Sequence, residues 1–288
     1  MLAPQAFRRG IFRKKATPVV DLPPDAGVDT WAAAIVTRGG TALTTAQKQA
    51  FYNFVGGLKS DAGNTWARIS RFLWMGVPSL AGGSFVDLVD STKIWTPSVT
   101  GAFTPLQGVQ GDASTVYVSS IDNIGGLFTQ KDASVFGLIN GWNGVSGAQD
   151  EFGSSGTVLR LSHSNTTASN NFGIINSASG AALSAGTPSD RLGFSCAVRQ
   201  APVSGTDSDL LFWRNPTSSA PNTTRTDSVS SAVAASPMYA LARGSGAATR
   251  SPDRALGCGY GGSLTGAQVL AIKTRMIALA NALGCPLS

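Results

Sequence analysis

The chain has 288 residues, enough to bury the core of one large domain or two modest ones. Only 13% of them are charged, about half the share of an ordinary soluble domain, and 34 Gly and 14 Pro with abundant Ser and Thr point to turn-rich β structure. Three scattered cysteines (Cys196, Cys258, Cys285) and one histidine exclude a disulfide scaffold and any metal site built from several His and Cys ligands.

The net charge of +6 is unevenly placed. Arg8, Arg9, Arg13, Lys14 and Lys15 carry five of those charges within the first twenty residues, where no acid occurs, and subtracting them leaves +1 for everything else. Residues 1–29 read as an extended basic anchoring arm, because Pro4, Pro18, Pro23 and Pro24 interrupt them and they hold too few apolar side chains for a core. The arm is expected to order on a larger assembly, its cations meeting acidic protein surface. Nucleic acid is the lesser reading, since such arms bind phosphate backbones without sequence preference. No hydrophobic segment follows the basic start, so it is not a secretory signal, and no apolar run approaches the roughly 18 residues of a membrane span. Membrane insertion is not expected.

Residues 30–80 read as a small helical collar. After the apolar run Trp31 to Val36, a helix is predicted over Leu43–Leu58, opened by the capping-box pair Thr44 and Gln47, with Phe51, Phe54, Val55 and Leu58 on one face. Gly56 and Gly57 should weaken or stop it. A second short helix is predicted from Asn64, with Trp66, Ile69 and Leu73 aligned.

From Phe85 the apolar period changes to two. Strands are predicted at 85–90, 115–118, 134–139, 157–161, 172–175, 191–198, 210–213, 238–243 and 255–260, separated by turn clusters such as 140–144. Nine or more strands without intervening helices argue for a two-sheet antiparallel sandwich over residues 81–288. A last helix is predicted over Ser263–Gly284, opened by Thr265 and Gln268 with Leu264 and Val269 at the staple positions and Pro286 beyond its end.

The order of these elements carries a resemblance. A Thr-Gln-capped helix leads to Phe85-Val86-Asp87-Leu88 and the segment Trp95 to Asp112. Near the end come Met238 to Arg243, Arg254 to Tyr260 and Gly262-Ser263-Leu264-Thr265. Over residues 30–285 this resembles tailed-bacteriophage virion proteins with a concanavalin A-like (laminin-G-like) jelly roll. The resemblance implies a mainly β jelly-roll sandwich built into a tail, fibre or capsid surface, assembled in the host cytoplasm, in a fold that often binds carbohydrate. Other virion proteins are then the expected partners of residues 1–29, which lie outside the resemblance, and such proteins commonly work as symmetric oligomers, here expected to be a trimer. A tail fibre or appendage is the first expectation, a capsid decoration protein the alternative, and a glycan hydrolase the second alternative.

The residues argue against the hydrolase. Glycoside hydrolysis usually needs two carboxylates flanking the scissile bond, and the one glutamate, Glu151, has a neighbour, Asp150, that an extended strand would point to the opposite face. His163 lies in a Ser/Asn/Thr-rich stretch without a nucleophile elbow. Gly259 to Gly262 lack the Lys-Ser/Thr of a phosphate loop. No catalytic residue, metal or cofactor is therefore expected; Asp122-Asn123 and Asp150-Glu151 could contribute oxygens to a calcium ion, yet neither forms a dense acidic loop. For sugar contact, Trp142 flanked by Asn140 and Asn143 offers an aromatic face beside amides.

Overall fold

A computed structural model describes residues 21–61, 63–127, 129, 131–142, 149–154, 159–163, 171–175, 183–185, 192–200, 207–228, 236–242 and 250–287. Its helices start where side chains satisfy the free amides of a first turn. Helix α1 (Ala26–Thr37) opens on Asp25, whose carboxylate accepts the Gly27 and Val28 amides, and it buries Val28, Trp31, Ala32 and Ile35. Both α2 (Thr45–Ser60) and α3 (Gly266–Leu283) open on complete capping boxes, Thr44 with Gln47 and Thr265 with Gln268. Helix α3 ends at Gly284, which takes the left-handed conformation (φ 71°).

The strands are β1 (Ile69–Trp74), β2 (Phe85–Val86), β3 (Ile94–Pro97), β4 (Phe103–Thr104), β5 (Gly108–Gln110), β6 (Val118–Asn123), β7 (Ala133–Trp142) and β8 (Gln149–Ser154). They continue with β9 (Leu159–His163), β10 (Asn171–Ile175), β11 (Leu183–Ala185), β12 (Gly193–Arg199), β13 (Asp207–Arg214), β14 (Thr223–Ser228), β15 (Pro237–Ala240) and β16 (Asp253–Gly261). The first sheet runs β14-β13-β12-β7-β16-β5-β4, and the second β11-β10-β9-β8-β15-β6-β3-β2, antiparallel at every described pairing. Strand β1 joins the first sheet on the edge of β16 that β5 also uses: Trp74 faces Gly257 and Ile69 faces Gly261, while β5 takes Arg254 and Ala255. The fold is thus mainly β, two antiparallel sheets in a jelly-roll-type sandwich, with a closing helix.

The helices add a third layer. On the helix side of the first sheet, Phe72 stacks at 5.0 Å on Phe54 of α2 and at 6.1 Å on Phe136, which lies 6.4 Å from Phe194. On its other side, Tyr260 meets Trp95 of the second sheet at 6.1 Å, and a Cβ on Gly137 would fall 2.0 Å from the Phe152 ring. One continuous buried cluster joins Trp31 and Phe54 through Phe72 and Phe136 to Val118 and Phe152. Buried residues of the segment 30–80 thus share one core with the strands.

Four sequence expectations change within residues 26–90. Residues 26–29, assigned to the arm, form the first turn of α1, and Val28 is buried. The segment after Asn64 is one 3-10 turn (Thr65–Arg68) followed by β1, because Phe72, Leu73 and Trp74 are buried between the helix layer and the second sheet and pair with β16. The expected strand 85–90 stops at Val86, where Asp87 turns the chain by accepting the Val89 and Asp90 amides. Helix α2 runs through Gly56 and Gly57 to Ser60. Both glycines admit a close neighbour: a Cβ on Gly57 would fall 1.9 Å from the Arg275 guanidinium, and one on Gly56 would fall 3.2 Å from Leu22.

Candidate functional site

Residues 21–25 deliver the N-terminal segment onto the helix layer, and side chains of α2 hold their backbone. Asn53 Oδ1 accepts the Leu22 amide at 2.7 Å, Gln49 Nε2 donates to the Leu22 carbonyl at 2.8 Å, and the two amide side chains bond each other at 3.1 Å. Asn53 Nδ2 also donates to Asp21 at 3.2 Å. Further along, Lys59 pairs with Asp25 at 2.6 Å. Burial opposes ionisation of Asp25, but Lys59 and the Val28 and Gly27 amides outweigh it and hold its carboxyl below the usual range. The chain is thus laid parallel to α2: Asp21 beside Asn53, Leu22 over Gly56, Asp25 beside Lys59.

Beside Asp21, α2 and α3 leave an open trench. Helix α3 runs antiparallel to α2, with Asp61 gripping Arg275 in two parallel bonds of 2.8 and 3.0 Å and Gln268 donating to the Gly63 carbonyl. Ala46, Ala50 and Ala282 line a cavity of about 620 Å³ that Asp21 borders. It adjoins a second of about 120 Å³ between Asn53, Arg275 and Ala278. The trench walls combine alanines with Phe54 and Leu279, Thr45, the amides that hold Leu22, and the charged Asp21 and Arg275.

Of the residues singled out from sequence, Arg8, Arg9, Arg13, Lys14, Lys15 and Asn143 lie outside the described residues. Trp142 ends β7, paired with Asp253, so residues 140–142 continue a strand instead of forming the expected turn. Asn140 is only 4% exposed, and its Nδ2 donates to the carbonyls of Gln107 (3.2 Å) and Pro286 (2.9 Å). It ties β7 to the segment after α3. Glu151 lies within β8 and is 1% exposed. His163 ends β9 opposite Gln149. Cys196, Cys258 and Cys285 are free and buried, and burial pushes the Cys285 thiol up to about 12.

The titratable clusters hold the chain together. Asp87 is fully buried, its Oδ2 accepting from the Phe72 amide (3.2 Å) and Trp95 Nε1 (2.9 Å) and its Oδ1 from the Val89 and Asp90 amides. Burial pushes it up to about 6, against the pull of these donors and of Arg71. Arg71 bridges Asp122 at 2.7 Å and Asp90 at 3.7 Å, and Lys93 reaches Asp122 at 3.0 Å. Asp112 accepts the amides of Ser114, Thr115 and Val116 and the hydroxyls of Ser114 and Thr115. Burial opposes its ionisation, but the Thr115 hydroxyl and the three amides prevail and hold it well below the carboxylate range. Sequence reasoning misses the buried Asp87 because residues 85–90 read as a strand; an Asp three residues before another Asp in an apolar run is the available signal. Among the described residues no three His, Cys, Asp or Glu side chains gather as a metal site, and no helix is long and apolar enough to cross a membrane.

The fold and this joint define a two-sheet β-sandwich body carrying its N-terminal segment on a helical face. No protein-family model and no curated protein matches the chain. Among solved structures it is similar to a Trypanosoma rangeli sialidase in complex with 2,3-difluorosialic acid, with TM-score 0.50 and 13% identity over 87% of this chain and 39% of that one. It is also similar to a mutant of that sialidase displaying trans-sialidase activity, with TM-score 0.51 and 12% identity over 87% and 38%. The binding domain of Paraclostridial mosquitocidal protein 1 aligns with TM-score 0.45 and 9% identity over 74% and 52%. The chain spans about two fifths of the sialidase chains, and the likeness is one of β-sandwich fold.

Proposed function

We propose that this is a non-enzymatic structural protein of a tailed-bacteriophage particle, a tail fibre or appendage component with a concanavalin A-like body, held in place by its basic N-terminal segment. The distribution of charge carries the reading: five cations fall within residues 8–15, ahead of a body of net charge +1. Two further observations support it. The single glutamate is sealed within β8, and Asp87, Asp112 and Asp122 are each bound by donors of their own chain. Such carboxylates brace backbone and do not face a substrate.

In this reading residues 1–20 dock on neighbouring particle proteins, the sandwich offers area for lateral contacts, and the assembly is a homotrimer. Deleting residues 1–15 removes all five cations and leaves the body intact. We expect the shortened protein to fold, judged by circular dichroism and melting, and to be lost from purified particles; retained incorporation overturns the anchor. Electron microscopy of the labelled protein on intact particles distinguishes a tail position from a capsid one. Release of reducing sugar from a glycan panel, abolished by Glu151→Gln, would replace the structural reading with a hydrolase. Binding to a glycan array lost in Trp142→Ala would add host-surface contact.

A further inference from the structure

Arg254, near the start of β16, is a cation held by neutral partners. We propose that it forms, with Gln107 and Gln110, a binding site for a single carboxylate carried by an acidic sugar of the uronic acid kind. The inference goes beyond the particle reading above and does not depend on it.

Its hydrogen bonds set it apart from other arginines of the body. The guanidinium donates from Nε to Gln110 Oε1 at 3.1 Å and from Nη1 to Gln107 Oε1 at 3.0 Å. Arg68, Arg71 and Arg275 each meet an aspartate instead. Among the described residues no carboxylate lies within ion-pair distance of Arg254. A guanidinium carries five N–H donors, so with two in use three are left, and both of those on Nη2 are among them. Arg254 and Gln107 are both half-buried, and neither Nη2 nor the adjacent Gln107 Nε2 is a sealed atom.

The donors are fixed before any ligand arrives. Gly141 pairs with Arg254 from β7, and a Cβ there would fall 3.2 Å from the Arg254 Cβ and 3.8 Å from its Nε, so the arginine stem lies against that bare backbone. Gln110 pairs with Arg254 from β5, and its Nε2 donates to the Gly111 and Pro252 carbonyls at 3.2 and 2.6 Å, which turns its oxygen to the cation. Asn140 holds the Gln107 carbonyl at 3.2 Å. An arginine restrained in this way loses little further freedom on binding. One positive charge with coplanar N–H groups matches the single charge and two oxygens of a carboxylate. The flanking amides suit hydroxyl groups, as both donors and acceptors. An acidic protein patch would bring several charges to one cation; an acidic sugar brings one, surrounded by hydroxyls.

The test is nuclear magnetic resonance of arginine Nε–H groups in the full-length protein, the Arg254 signal being assigned by its loss in Arg254→Lys. Glucuronate should shift that signal saturably at millimolar concentration. Acetate should bind at least tenfold more weakly, and methyl glucoside should leave the signal unmoved. Gln107→Glu sets a carboxylate of the chain's own against the guanidinium and should weaken glucuronate binding at least tenfold. Gln110→Glu gives the same reading from the other side, should the first variant fail to fold. No shift, a shift that grows without saturating, equal affinity for acetate, or unchanged affinity in the glutamate variants overturns the site. Tighter binding of a tetra-aspartate peptide than of glucuronate also overturns it and gives Arg254 to a protein partner. Particle incorporation after deletion of residues 1–15 is a separate measurement, so either proposal can fail while the other stands.

Discussion

Asp87 shows how one side chain decides a local path. Its carboxylate takes an amide from β1, an indole N–H from β3 and two amides of the turn that ends β2. Asparagine has one acceptor oxygen and would present N–H groups to donors, so Asp87→Asn is expected to destabilise by about 2 kcal/mol, from buried donors left unpaired. Chemical denaturation of the two proteins measures it, and an equal midpoint would contradict the role assigned to this residue. Asp112 makes the pH prediction. Its folded pKa is depressed, so its contribution is fully present above the unfolded value near 3.8 and is lost as pH falls through the folded one. The melting-temperature gap between wild type and Asp112→Ala should be constant from pH 7 to about 5 and narrow steadily below about 4. A gap unchanged at pH 2.5 would assign the stabilisation to the loop's shape alone.

At the scale of elements, the caps give the next prediction. Thr265→Ala removes the acceptor for the Gln268 amide and is expected to cost about 1 kcal/mol, recovered in Thr265→Ser, whose hydroxyl can cap the same amide. Gly137→Val should cost more, about 1–3 kcal/mol, because the Phe152 ring occupies the space a side chain would need. Melting temperatures of the three variants rank these effects. The same elements show what was legible beforehand. Helices α2 and α3 could be read because cap and apolar face are local signals, and Thr44 with Gln47 and Thr265 with Gln268 fall where their spacing places them. Residues 69–74 were misread because a sheet covered on both faces loses its alternation: Phe72, Leu73 and Trp74 are all buried, and spacing alone fits a helix equally well. Gly56 and Gly57 misled for a related reason, since the neighbours they admit, Leu22 and Arg275, are distant in sequence. The trench was illegible because its walls come from both ends of the chain, Ala46 and Ala282, and alanines alone carry no chemical signature.

For the whole molecule, layering predicts which parts open last. Cys196 in β12 and Cys258 in β16 lie in the middle sheet, at 0% and 1% exposure, between the helices and the second sheet. Their labelling by a thiol reagent should follow the global unfolding free energy across denaturant, because only full separation of the layers admits the reagent. Fast labelling of Cys258 under native conditions would contradict the central place of β16. Charge divides along the same lines as architecture: a near-neutral body, and cations grouped in the segment that joins it at one helical face.

Strand β16 also sets the timing of biosynthesis. It supplies both edges that β7, β1 and β5 require, yet it begins at Asp253. Until β16 leaves the ribosome, each of those three strands has an edge that lacks its partner. The nascent polypeptide carries open, sticky borders until then. Truncation just before Asp253 should yield aggregate, not a slightly smaller soluble product.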